Sequence, residues 1–164
     1  MKLAVLAVLA LLLGLTLPGT AVTQPPACFP PTPTRARLPV DVDAFQVRPE
    51  GAFVWVVLAY HNPTATPLYI GLHQWANACT QLVDDVHTTY TLLQTVGMGY
   101  GYNPPTWLTL APDARATVAF LFRAEAPGAT SPRQYTLLSE QLMRRDEATP
   151  ITTFTIALPN LLPH

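Results

Sequence analysis

The sequence predicts an all-β sandwich of seven to eight short strands, and three observations predict it. Apolar residues recur with period two in several stretches. Those stretches are separated by Pro, Gly, Asn and Asp at short spacing. No long segment carries a helical period.

The elements follow in order. Met1-Lys2 places one positive charge before the unbroken Leu, Ala and Val run from Leu3 to Leu13. Pro18 and Gly19 break the run, and Gly19-Thr20-Ala21 offers small residues to signal peptidase. Residues 1–21 therefore read as a secretory signal peptide, too short for a membrane span, with cleavage expected after Ala21 or close to it. The compartment expected is secreted or periplasmic, with no membrane span after cleavage. Residues 22–39 hold Pro25, Pro26, Pro30, Pro31, Pro33 and Pro39, a density that excludes helix and central strand. They read as an extended proline-rich linker. Residues 40–164 are then one domain, of ordinary size for a buried core.

Within that domain Val40 to Val47 is a first strand. Phe53 to Tyr60 is apolar on both faces, as in a central strand covered on both sides, and ends at the turn His61-Asn62-Pro63-Thr64. Leu68 to Ile70 follows, and the stretch around Trp75 and Cys79 has no clear assignment. Gln81 to Val83 leads through Asp84-Asp85 to a return strand from His87 to Thr95. Residues 97–107 read as loop. Ala116, Val118, Phe120 and Phe122 alternate with Thr117, Ala119 and Leu121. Gln134 to Leu138 is a strand, and Ser139 to Glu147 is its end or a helical turn. Phe154, Ile156 and Leu158 alternate with Thr153, Thr155 and Ala157. Phe120, Phe122, Phe154 and Ile156 are expected in the core. This turn-rich order favours an immunoglobulin-like sandwich.

After the leader no lysine remains, and eight arginines face ten acidic residues, a net charge of −2. Arg without Lys, amid much Ala, Pro and Leu, fits a GC-rich bacterial genome. The balance is no footprint for nucleic acid and no polybasic patch for anionic lipid. Cys28 and Cys79 are the only cysteines. Behind a signal peptide an even count predicts a disulfide, closing a loop of about 50 residues. Cys28 follows Pro25-Pro26-Ala27 and not a lipobox, so no lipid is expected on it.

Several short pieces resemble the immunoglobulin-like domain of unknown function found in bacterial secreted proteins and lipoproteins. They are Val54-x-Val56-x-Leu58 leading to Asn62, Leu82-Val83-Asp84 followed by Tyr90, Leu110-Ala111-Pro112-Asp113, and Phe120-x-Phe122. The chain departs from the family's glycines at Asp113 and in the turn Asp85-Val86-His87. The resemblance implies the fold and no catalytic residues.

Candidate chemistry is sparse. Ser131 and Ser139, the only serines, lie outside any nucleophile elbow, and no catalytic residue is assigned. His61, His73, His87 and Met98 lack metal-ligand spacing, and Asp84-Asp85 supplies too few oxygens for calcium, so no metal or other cofactor is expected. Arg144-Arg145-Asp146-Glu147 reads as a solvated turn. The segment from Gly97 to Trp107 combines glycines with Tyr100, Tyr102 and Trp107. Loops on a rigid sandwich are where binding usually sits, so these three aromatics are the candidate ligand-binding residues. The competing reading is that they pack over the end of the core. The function expected is a non-catalytic binding or structural module of the bacterial cell envelope, partnered by an envelope protein or glycan. The alternative is a small extracellular proteinase inhibitor, or another enzyme-directed protein, presenting an exposed loop.

Overall fold

Period-two patterning builds the centre of the molecule. In the computed structural model, which describes Cys28 and residues 40–72, 76–98, 107–126 and 132–164, strand β2 (Phe53–His61) turns Val54, Val56, Leu58 and Tyr60 into the core. Strand β7 (Arg115–Ala124) pairs with it antiparallel and buries Val118, Phe120 and Phe122 on the same side. Strand β1 (Asp41–Glu50) extends the sheet on one flank and β5 (Thr89–Val96) on the other. This gives the layer β1-β2-β7-β5.

The second layer is organised by β8 (Tyr135–Arg144), which has three partners. On one edge it meets β4 (Thr80–Asp84) along its first half and β3 (Leu68–Leu72) along its second. The four-residue helix α1 (Ala76–Cys79) lies between those two strands in the chain. On its other edge β8 pairs with β9 (Thr152–Leu161), and the three-residue strand β6 (Leu108–Leu110) pairs with β3. The β4–β5 ladder joins the layers into one unclosed sheet. The fold is an all-β, immunoglobulin-like sandwich.

A buried polar bridge ties the layers together. Tyr60 on β2 donates its hydroxyl proton to Gln141 Oε1 of β8 at 3.1 Å, and Gln141 Nε2 donates to the same hydroxyl at 2.8 Å. Gln141 Nε2 also reaches Ser139 Oγ at 3.2 Å, which lies 3.0 Å from Thr80 Oγ1. All four side chains are fully buried. Each satisfies another, so the core carries them without an unpaired amide. Burial pushes the Tyr60 hydroxyl well above its ordinary pKa.

The bridge between Cys28 and Cys79 is formed, with Cα atoms 5.2 Å apart. It fastens the segment ahead of β1 to the end of α1. Two turns carry non-glycine residues at positive φ. Asp113 and His87 have φ of 56° and 67°, the left-handed region that glycine supplies most easily. Asp and His are among the residues that tolerate it best.

Four expectations need correction, and of the two readings of residues 139–147 the strand end holds. Among the described residues there are nine strands, because β6 is too short to show a period. The return strand starts at Thr89, since His87 belongs to the turn. Residues 139–144 continue β8 as strand and form no helical turn; the bend comes at 145–149. There Asp146 Oδ1 accepts from the Ala148 and Thr149 amides. Phe154 is only half-buried, because β9 is an edge strand. Finally, β2 is not covered on both sides among the described residues: Phe53 is 40% exposed, and Trp55 and Val57 are half-exposed. The segments expected to be leader (1–21) and linker (22–39) lie, apart from Cys28, outside the described residues.

Candidate functional site

Of the three candidate aromatics, Trp107 is described, and Tyr100 and Tyr102 lie outside the described residues. Trp107 directly precedes β6, and the β6–β3 pairing lays it along β3. Its ring rests where Gly71 has no side chain. A Cβ built on Gly71 would stand 3.1 Å from the Trp107 ring, tighter than ordinary contact. Gly71 is the register partner of Leu142, which is fully buried although it stands apart from the main core cluster.

Arg144 completes the arrangement. It is the register partner of Tyr69 across the β3–β8 ladder. Its guanidinium carbon lies 4.7 Å from the Trp107 ring centroid and 5.7 Å from that of Tyr69. A cation at these distances is attracted to the ring quadrupoles by about 0.5–2 kcal/mol, depending on desolvation. Trp107 is therefore held between strands as a fixed, half-buried element. Among the described residues, Trp107 Nε1 and Arg144 Nε are both without a hydrogen-bond partner. An indole N–H and a guanidinium N–H are donors only, so what they lack is an acceptor. Sequence reasoning found Trp107 and missed Tyr69 and Arg144. No local signal marks those two, because only the strand register brings them together.

The other polar candidates have structural occupations. Asp84 Oδ1 accepts from the amides of Val86 at 3.0 Å and Thr88 at 2.7 Å, and its Oδ2 accepts the Tyr90 hydroxyl at 2.9 Å. That is the hydrogen bonding of a hairpin turn. Burial, with the Asp84 bond, pushes the Tyr90 hydroxyl well up from its ordinary value. Asp85 accepts the Arg133 amide at 3.0 Å, which holds its carboxyl below the usual range. Ser139 is buried and hydrogen-bonded to Thr80 and Gln141. Ser131 and His73 lie outside the described residues. Among the described residues no group of three His, Cys, Asp or Glu is placed to hold a metal ion. No described helix is long and apolar enough to cross a membrane.

No family model matches the chain, and no curated protein does. Two solved structures are similar at low identity. The CooA pilin subunit from enterotoxigenic Escherichia coli is 14% identical, with a TM-score of 0.34, over 76% of this chain and 99% of its own. A PapD-like domain of human CEP192 is 12% identical, with a TM-score of 0.37, over 85% of this chain and 93% of its own. Neither likeness bears on what this chain binds.

Proposed function

We propose that this chain is a non-catalytic binding module of the bacterial cell envelope, exported and held together by its disulfide. An apolar leader and an oxidised cysteine pair both fit an oxidising compartment. The partner is an envelope protein or glycan, engaged on the face formed by Trp107, Tyr69 and Arg144. The observation that carries this reading is a contrast in polar satisfaction. Buried core polar groups are paired, the Tyr135 hydroxyl excepted. Among the described residues, Trp107 Nε1 and Arg144 Nε, on neighbouring side chains of one face, are not. Both donors are buried, so a partner reaches them by opening the Arg144–Trp107 contact, and its carbonyl, carboxylate or hydroxyl oxygens then supply the missing acceptors.

Arrays of envelope glycans and of peptides from envelope proteins test this, probed with the purified mature domain and with Arg144→Gln. The domain is expected to retain a defined subset, and the variant to lose it with an unchanged melting temperature. Equal retention by both proteins would contradict the assignment of the face.

A further inference from the structure

His61 ends β2 and touches a carboxylate with each ring nitrogen. Its Nδ1 lies 3.2 Å from Asp41 Oδ2, and its Nε2 lies 2.9 Å from Asp113 Oδ1. A neutral imidazole has one N–H and one lone pair, so it can serve only one of these acceptors. The imidazolium donates to both. The geometry is therefore that of the protonated ring.

The two carboxylates sit on parts of unequal firmness. Asp113 belongs to the β6–β7 turn, which Asn62 fastens from inside. The Asn62 amide donates to Ala114 O at 3.0 Å, and the Asp113 amide donates to Asn62 O at 2.9 Å. The Asn62 side chain, fully buried, donates to the carbonyls of Thr66, Leu110 and Ala111 at 2.8, 3.1 and 3.1 Å. That turn stays in place without His61. Asp41 opens β1, which among the described residues is an edge strand that pairs only with β2 and whose register breaks between Ala44 and Gln46. Ahead of the break lies a short ladder of four residues, Asp41 to Ala44, with Val42 and Ala44 only partly buried against the core. It is also where the segment carrying Cys28 joins the sandwich.

We propose that His61 is a proton-operated latch: charged, it clamps residues Asp41 to Ala44 to the body of the sandwich, and on losing its proton it releases them. The charged groups around it define the balance. Asp113 and Asp41 favour the imidazolium, while Arg115, in register with His61 on β7, opposes it. Asp43 stands two residues along β1. The bond to Asp113 is the largest influence, followed by an opposing loss of hydration and then by the bond to Asp41; the net effect raises the His61 pKa above its ordinary value. The direction follows. A group whose folded pKa is raised contributes fully below its unfolded value, about 6.5. The contribution is lost as pH rises through the higher folded value. Both aspartates are exposed, Asp113 at 94% of its side chain, so screening keeps the effect local and modest.

Amide hydrogen exchange on the mature, disulfide-bonded protein tests the latch. Protection of residues 42–44, corrected for intrinsic exchange, is expected to fall about two- to fivefold between about pH 5 and about pH 8, while that of residues 54–60 holds. In His61→Gln the protection of residues 42–44 is expected to be low at both values. In Asp113→Asn the imidazole titration followed by NMR is expected to shift to lower pH. Equal protection at both pH values in the wild type would overturn the latch. So would the same pH dependence in His61→Gln, or a wild-type His61 midpoint at or below that of free histidine.

Discussion

Replacing Phe120 by alanine is expected to lower the unfolding free energy by about 3–5 kcal/mol. Phe120 is fully buried in the middle of β7, with Val56 as its register partner on β2. Its ring stacks on Phe122 with centroids 6.3 Å apart and an interplanar angle of 23°. Removing it deletes a large apolar surface and leaves a cavity that two paired strands cannot close by shifting independently. On the opposite face of the same strand, Thr117→Ser is expected to change stability by less than about 0.5 kcal/mol. Chemical denaturation of the two variants checks the register of β7. A one-residue slip would exchange the faces and reverse the order of the two effects. A Phe120→Ala loss below about 1 kcal/mol would contradict the core described here.

Removing the disulfide is expected to have a comparable effect. Cys28 and Cys79 are separated by 51 residues, and closing such a loop restricts the unfolded chain by about 4 kcal/mol in the chain-entropy model. The folded state changes less, because α1 is short and β4, which follows it, is held by β5 and β8. Denaturation of the Cys28→Ala/Cys79→Ala double variant measures the difference. A loss of about 3–5 kcal/mol is expected. A loss under about 1 kcal/mol would mean that the segment ahead of β1 hardly constrains the sandwich.

The parts of the fold visible in the sequence were those governed by local periodicity. β7 and β9 alternate clearly because one face of each meets the core, and β2 showed as an apolar run. The disulfide followed from an even cysteine count behind an apolar leader. What escaped depended on distant partners. The second half of β8 read as strand end or helical turn, and nothing local shows that Ser139 and Gln141 are buried there, where Thr80 and Tyr60 satisfy them from other strands. Arg144 read as part of a solvated turn, since nothing local shows that β8 carries it onto Tyr69 and Trp107. His61 read as a turn histidine, and its two carboxylates come from 20 and 52 residues away. Trp107 was found through its neighbours Tyr100 and Tyr102, but what holds it is the absence of a side chain at Gly71.

The aromatic segment ending at Trp107 is proposed to join Tyr69 and Arg144 in the binding surface, and one variant separates that role from packing. Thermal unfolding of Tyr100→Ser/Tyr102→Ser is measured beside its retention on the same arrays. As binding residues, the two tyrosines leave the melting temperature within about 2–3 °C of the wild type while retention is lost. As packing residues they do the reverse. Burying an aromatic ring contributes about 1.5–3 kcal/mol, so the double change then lowers the melting temperature by roughly 10 °C or more. A drop of that size with retention intact would contradict the claim.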